Sequence, residues 1–323
     1  MTDNSTTPIA PLSMAGTDKP LLGIAFMLSF CAIIPFSDAL MKLMTNSMPF
    51  VTILIVRYLC QITLMTPVML RQHGGLAHIR NLSATAWWCL FWRSLMHILG
   101  IIGMYYGLKY MALADTTAIC FLYPILMLVA GHVFMREQVG PHRIAAALVG
   151  FIGTLMVVQP NFLAVGANAL WPVGVAATFV IFILVTRTMS REIDPISIQV
   201  VSGVMALLML LVPMLLLDTE TFPLFRPVWP TTESWPLLIG AGVIGSVGHL
   251  LMTMAVRYTP SATLAPMQYV EIPFATLIGW LIFADLPNQL AGFGIAVTIA
   301  AGLYMIYREQ HAQRLAAKAA KAA

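Results

Sequence analysis

Charge is what this sequence has least of. Asp, Glu, Lys and Arg together make up 9% of its 323 residues, against about 25% in an ordinary soluble domain. A chain so poor in charge cannot cover itself with a polar surface in water, which points to lipid as its solvent. The net charge of +4 is too small to indicate nucleic acid. Cysteine is scarce too. Cys31, Cys60, Cys89 and Cys120 fall inside apolar stretches without a CxxC spacing, which argues against a disulfide framework or a metal site. They read as small hydrophobes in helices. There is no Walker-type Gly-rich phosphate loop, so ATP-driven pumping by this chain alone is not expected, nor is a cofactor. The opening MTDNSTTPIAPLSMAGTDKP lacks the basic start and early apolar core of a secretory signal. Residues 1–20 read as a flexible tail, and 308–323 as a basic, Ala-rich one.

What is abundant is apolar sequence, 59% by composition. A helix needs about 20 mostly apolar residues to cross a bilayer. Runs of that kind occupy 21–44, 49–70, 84–109, 112–135, 142–158, 169–189, 195–217, 236–257, 260–284 and 289–307. The expected fold is therefore an all-α integral membrane protein of ten transmembrane helices. Gly74-Gly75, Gly140-Pro141, Pro160-Asn161 and Asp194-Pro195 punctuate the short breaks, and the longest break, 218–235, reads as an interfacial loop. Lys and Arg collect on the cytoplasmic side of membranes. With the N-terminus inside, the inner segments hold Lys19, Arg71, Arg80, Arg136, Arg143, Arg187, Arg191, Arg257, Arg308, Arg314, Lys318 and Lys321, and the outer ones only Lys42, Lys109 and Arg226. Both termini are thus expected in the cytoplasm of a cell whose inner membrane holds the protein.

The chain also repeats itself. LKYMALADTTAICFLYPILMLVAG, 108–131, aligns with VRYTPSATLAPMQYVEIPFATLIG, 256–279, so that Lys109-Tyr110 meets Arg257-Tyr258 and Pro124 meets Pro273. Gly153 aligns with Gly302, and Lys42 followed by Pro49 with Arg187 followed by Pro195. Two units emerge, 21–158 and 169–307, each with five spans. An odd count sends the second unit into the membrane from the opposite side, giving two inverted five-helix repeats. That is a recurring transporter design, with the cargo site near the midplane between the repeats.

The junction GLKYMALADTTA with Pro124, Glu137 and Gly153, and its counterpart IGAGVIGSVGHLLMTMAVRYTPSA with Pro273, Asp285 and Gly302, resemble the EamA family of the drug/metabolite transporter superfamily. The likeness covers nearly everything outside the tails. It implies ten helices, cytoplasmic termini, alternating access and a central cavity lined by both halves. It leaves the cargo open among amino acids, vitamins, nucleoside-like compounds and organic anions, and the direction open between uptake and export.

Ionisable residues within spans are costly and become functional candidates by default. Arg57 and Arg93 sit mid-span. Either each is paired structurally with Asp38 or Glu271, or each grips a carboxylate or phosphate, which suits the guanidinium fork. Glu271, beside Pro273, could bind an ammonium, carry a coupling proton or neutralise an Arg. Asp38 and Lys42, four apart on one helix face, read as a local ion pair or an outer gate. Asp115 reads as structural, and His132 as a packing residue. His97 and His249 read as neutral partners of neighbouring helices or as cavity-lining groups. Tyr123 and Tyr269 lie beside the paired prolines, and Gln268 beside Tyr269. Gly242, Gly245 and Gly248 read as close helix packing.

The cavity set is therefore Arg57, Arg93, His97, Tyr123, His249, Gln268, Tyr269 and Glu271. The expected function is a secondary transporter for a small polar metabolite carrying a carboxylate, such as an amino acid or organic acid, by exchange or with protons. Export of amphipathic compounds, or uptake of a vitamin or nucleoside-like compound, is the alternative. The expected partners are lipid and a small molecule, with the chain a monomer or homodimer and no nucleic acid bound. A membrane enzyme would need clustered His, Asp or Glu near one interface, and the short loops offer little. A channel or scaffold is disfavoured by proline-interrupted helices that bear polar residues.

Overall fold

The computed structural model describes residues 19–73, 79, 82–111, 113–137, 139–158, 166–190, 192–216, 225–284 and 288–322. Residues 1–18, the breaks at Gly74-Gly75 and Pro160-Asn161, Arg80, Arg191, Asp285, the side chain of Asp115 and those of Lys318 and Lys321 lie outside the described residues. Among the described residues every regular element is a helix.

The elements are α1 (Pro20–Met44), α2 (Phe50–His73), α3 (Ala84–Tyr110), α4 (Leu113–Cys120), α5 (Tyr123–Met135), α6 (Pro141–Val158), α7 (Leu170–Met189), α8 (Pro195–Leu216), α9 (Ser234–Tyr258), α10 (Ser261–Leu264), α11 (Glu271–Phe283) and α12 (Gln289–Ala322). Their starts follow local chemistry. Pro20 opens α1, where its missing N–H costs nothing. Ser83 caps α3 by accepting from the Ala86 N–H at 3.1 Å, and Asp194 Oδ1 accepts from the N–H groups of Ile196 and Ser197 to cap α8.

Seven of these helices (α1, α2, α3, α7, α8, α9 and α12) are long and apolar enough to cross a membrane. The fourth and ninth expected spans are not single helices. The fourth breaks at Phe121–Leu122 between α4 and α5. Pro124 cannot donate to the Cys120 carbonyl, and its ring crowds that carbonyl, so the helix does not run through. The ninth runs from α10 through a 3₁₀ segment, Ala265–Val270, into α11. Pro266 and Pro273 remove the N–H groups that the carbonyls of Ala262 and Tyr269 would have received. The two interrupted segments finish alike. Helices α5 and α11 each have 13 residues, and each ends on a non-glycine residue with left-handed backbone, Arg136 (φ 54°) and Ala284 (φ 57°). The last helix, α12, continues unbroken for 34 residues, so most of the basic tail extends the final span.

Large apolar side chains face outward, and several charged and polar side chains are buried within the apolar core. Val133, Phe134, Ile152, Leu215, Leu216, Leu281 and Leu303 are exposed, whereas Arg57, Gln61, Arg93, His97, Arg187, Gln199, His249 and Gln268 are buried. An apolar exterior around buried charged and polar side chains is the arrangement of a multi-pass membrane protein, because lipid replaces water as the solvent of the surface. Trp88 and Trp92 stand on that exterior near the start of α3.

The four largest helix interfaces each join the first half of the chain to the second: α1 on α9, α3 on α7, α6 on α12, and α2 on α8. Without a hydrophobic drive between helices, such contacts depend on close van der Waals fit. At Gly153, on α6, a Cβ would stand 3.0 Å from the Gly294 carbonyl of α12, so only glycine allows this approach.

Candidate functional site

Between the two halves lies a cavity of about 120 Å³. Its wall takes Phe30, Asp38 and Met41 from α1, Arg57 from α2, and Met96, His97 and Met104 from α3. Thr117 and Cys120 come from α4, Phe121 from the α4–α5 break, and Tyr123 from α5. The second half supplies Phe179 and Phe182 from α7, His249 from α9 and Glu271 from α11.

Arg57 is buried, and its Nη1 donates to Ser37 Oγ at 3.1 Å. The Ser37 hydroxyl in turn donates to the Ala241 carbonyl at 3.2 Å. The guanidinium lies on Gly245, where a Cβ would come within 2.5 Å of the guanidinium carbon. The absent side chain of Gly245 therefore makes the seat for Arg57, a role beyond helix packing. Asp38 lines the same cavity and interacts electrostatically with Arg57. Lys42 lies 5.7 Å above the Phe283 ring and borders a recess with Thr45 and Lys109.

His97 and His249 meet across the midline, Nε2 to Nε2, at 3.3 Å. On its other side His97 Nδ1 meets the Tyr58 hydroxyl at 3.2 Å. Phe182 stacks on His97 with ring centroids 5.1 Å apart and stands edge-on to His249. Tyr123 packs edge-on to Phe179 at 4.8 Å. Glu271 opens α11, and its carboxylate has no ion-pair partner among the described residues. Its place in the first turn of α11 puts it where the helix dipole favours a negative charge.

Three of the expected site residues stand behind this wall and do not line the cavity. Arg93 is fully buried; its Nε donates to Thr186 Oγ1 at 3.0 Å, and its guanidinium lies 4.6 Å over the Phe182 ring. It thereby presses the aromatic wall from the rear, a cation–π contact. Tyr269 is wedged against Gly150, and its hydroxyl donates to the Phe121 carbonyl at 3.4 Å. One interrupted span thus meets a backbone acceptor at the interruption of the other. Gln268 is fully buried, and among the described residues its amide N–H reaches only Met27 Sδ, at 3.8 Å.

Two features were not singled out from the sequence. Tyr58 adjoins Arg57, but nothing in a run of apolar residues marks one tyrosine among nine. The second is a charge cluster at the end of the molecule away from Asp38 and Met104. Arg187 Nε lies 3.2 Å from Glu137 Oε1, both side chains buried, as a charge pair and not an aligned hydrogen bond. Arg187 Nη1 donates to the carbonyls of Val256 and Thr259, the latter at 2.6 Å. Glu137 accepts from the N–H groups of Ser261 and Ala262 and from the Ser261 hydroxyl. The cluster ties α7, α9, α10 and the α5–α6 loop together. The sequence carried little signal for it, since Glu137 falls in a break between spans and Arg187 near the end of its span.

Known proteins resemble the chain over most of its length. It is 24% identical over 279 residues to a riboflavin transporter of Brucella anthropi, covering 84% of this chain and 93% of that one. It is 26% identical over 256 residues to a riboflavin transporter of Vibrio cholerae, covering 78% and 81%. An S-adenosylmethionine uptake transporter of Rickettsia bellii is 23% identical over 222 residues, covering 68% and 72%. A protein of known crystal structure superposes with a TM-score of 0.68 at 16% identity, over 88% of this chain and 95% of that one, a likeness of fold. The Brucella, Vibrio and Rickettsia relatives are named as transporters and not as enzymes. The model of the EamA-like transporter family matches residues 21–159 and 167–308, one match in each half, and the chain belongs to that family.

Proposed function

We propose that this protein is a secondary carrier with ten membrane crossings in two inverted five-helix halves, working by alternating access in the cytoplasmic membrane with both termini inside. Seven long helices, the shorter α6 and the two interrupted segments supply the ten crossings. The exchange of partners supports the inversion. If α1 corresponds to α7 and α3 to α9, the α1–α9 and α3–α7 interfaces map onto each other. The buried Arg187–Glu137 cluster closes one end of the cavity and serves as the inner closure of this state. Glu271, a cavity carboxylate without an ion-pair partner among the described residues, is our candidate for the coupling or cargo-binding acid.

The cargo we propose is a flat heteroaromatic metabolite of the vitamin or nucleoside kind, in place of the small carboxylate expected from the arginines. The observation that carries this is the lining: Phe30, Phe121, Tyr123, Phe179 and Phe182, with Met41, Met96 and Met104, against few polar groups. Aromatic and methionine walls suit ring faces, and sparse polar groups fix orientation. Arg57 is already engaged by Ser37 and offset by Asp38, and Arg93 stands behind the wall. The relatives' names, riboflavin and S-adenosylmethionine, both denote molecules with a heteroaromatic ring.

Thermal unfolding of the purified protein against riboflavin, adenosine, glutamate and lactate tests the reading, since a ligand of the folded state raises its stability by mass action. Riboflavin or adenosine is expected to raise the midpoint and the two small acids to leave it unchanged. Stabilisation by an acid alone would return the cargo to the carboxylate class.

A further inference from the structure

The contact between His97 and His249 carries information about protons. At 3.3 Å between two Nε2 atoms, one proton must lie between the rings, so one ring donates and the other accepts. Each neutral imidazole has one N–H and one lone pair, and fixing the proton at one ring fixes both.

Two orders are possible. In the first, the Tyr58 hydroxyl donates to His97 Nδ1, His97 Nε2–H donates to His249 Nε2, and His249 carries its proton on Nδ1. In the second, every donor reverses. His249 Nδ1 is buried without a partner, and His97 is the one hydrogen-bond partner of the Tyr58 hydroxyl, both among the described residues. The reversed order would leave the Tyr58 O–H without an acceptor and, in addition, the lone pair of His249 Nδ1 without a donor. The forward order leaves the His249 Nδ1–H without an acceptor and the Tyr58 oxygen without a donor, so each order strands one donor and one acceptor. The orders differ in the bond at Tyr58: a phenol O–H is the stronger donor and an imidazole nitrogen the stronger acceptor, so the forward order makes the better bond, and the donor it leaves over belongs to His249, which lines the cavity where cargo can meet it.

We propose that Tyr58, His97 and His249 form a proton-ordered chain that presents His249 Nδ1–H as the hydrogen-bond donor to cargo, selecting ring systems with a carbonyl or ring-nitrogen acceptor on their edge. His249 lines the cavity with Phe30 and Phe182 beside its ring, so an acceptor on a ring held against those faces completes the pairing. Tyr58 and His97 act as positioning residues. This inference rests on the aromatic-cargo reading above and adds to it which group reads the cargo's edge.

Two measurements on the full-length protein separate the inference from that reading. Riboflavin binding is measured for wild type, His249→Leu, His249→Asn and Tyr58→Phe. An Asn amide can stand where Nδ1–H stood, whereas Leu offers no donor. We expect about tenfold weaker binding for His249→Leu, near-wild-type binding for His249→Asn, and an intermediate loss for Tyr58→Phe. In parallel, ¹⁵N-histidine NMR reads the tautomers without cargo, with His249 expected as Nδ1–H and His97 as Nε2–H, and that order lost in Tyr58→Phe. If wild type binds riboflavin and His249→Leu binds equally well, or Asn fails as Leu does, the donor role is wrong and the aromatic-cargo reading stands. If wild type does not bind riboflavin, the cargo reading is at fault, and the tautomers still decide: His249 as Nε2–H overturns the chain, and as Nδ1–H supports it.

Discussion

Arginine 57 shows how a single side chain depends on an absence elsewhere. Its guanidinium occupies the space a β-carbon at Gly245 would fill, and Ser37 holds one of its nitrogens. Gly245→Ala should therefore evict Arg57 from its seat. Cargo affinity is expected to fall by about tenfold or more, the scale of a lost hydrogen bond to a charged group, with the protein still monodisperse on gel filtration. Gly248→Ala, whose added carbon would meet the flexible tip of Ile34 at 3.2 Å, is expected to bind nearly as wild type. Equal affinity for Gly245→Ala and wild type in a direct binding assay would contradict this role. The sequence marks Arg57, His97, His249 and Glu271 because polar residues inside apolar runs need a reason, and Tyr123 because it lies beside an aligned proline. It marks Arg93, Gln268 and Tyr269 by the same signs, yet these stand behind the wall. Arg93 and His97 share a helix face, one turn apart, but at Arg93 the neighbouring helices close in with Thr186 and Thr253. Depth along a face is a tertiary fact, and spacing does not contain it.

At the scale of elements, the long helices were legible throughout and the interrupted ones only through their prolines. The hydropathy runs 84–109 and 195–217 stop within a residue or so of the ends of α3 and α8. Hydropathy alone reads straight through Pro124 and Pro266, because apolar composition does not change where the backbone breaks. The aligned Pro124 and Pro273 were the visible trace of those breaks. Charge pairing between elements was also hidden, since Glu137 and Arg187 are far apart in sequence and each looks like a loop or helix-end charge. Their cluster is buried, so removing one partner strands the other. Arg187→Met is expected to destabilise the folded protein by about 3–5 kcal/mol, measured by chemical unfolding in detergent. The double variant Arg187→Met with Glu137→Met is expected to recover part of that loss. A single-variant loss below about 1 kcal/mol would mean that the pair is screened, as surface pairs are, and not a closure.

For the whole molecule, the repeat was the most informative reading of the sequence, because it turned a series of hydrophobic runs into a relation between two halves. The structure adds that the largest interfaces all cross between those halves, and that the cavity draws its wall from both. The lining of the cavity was less legible: the arginines stand out in a sequence of little charge, whereas the aromatic wall is assembled from residues that look like any others in a membrane helix. A carrier with one central site between two rocking halves should exchange cargo across the membrane and saturate. Counterflow of labelled riboflavin in proteoliposomes tests that most directly. The carrier predicts saturable uptake, accelerated by unlabelled riboflavin on the far side and strongly reduced in Phe182→Ala. Flux that rises without saturation and ignores the far side, or exchange confined to amino acids, would contradict it.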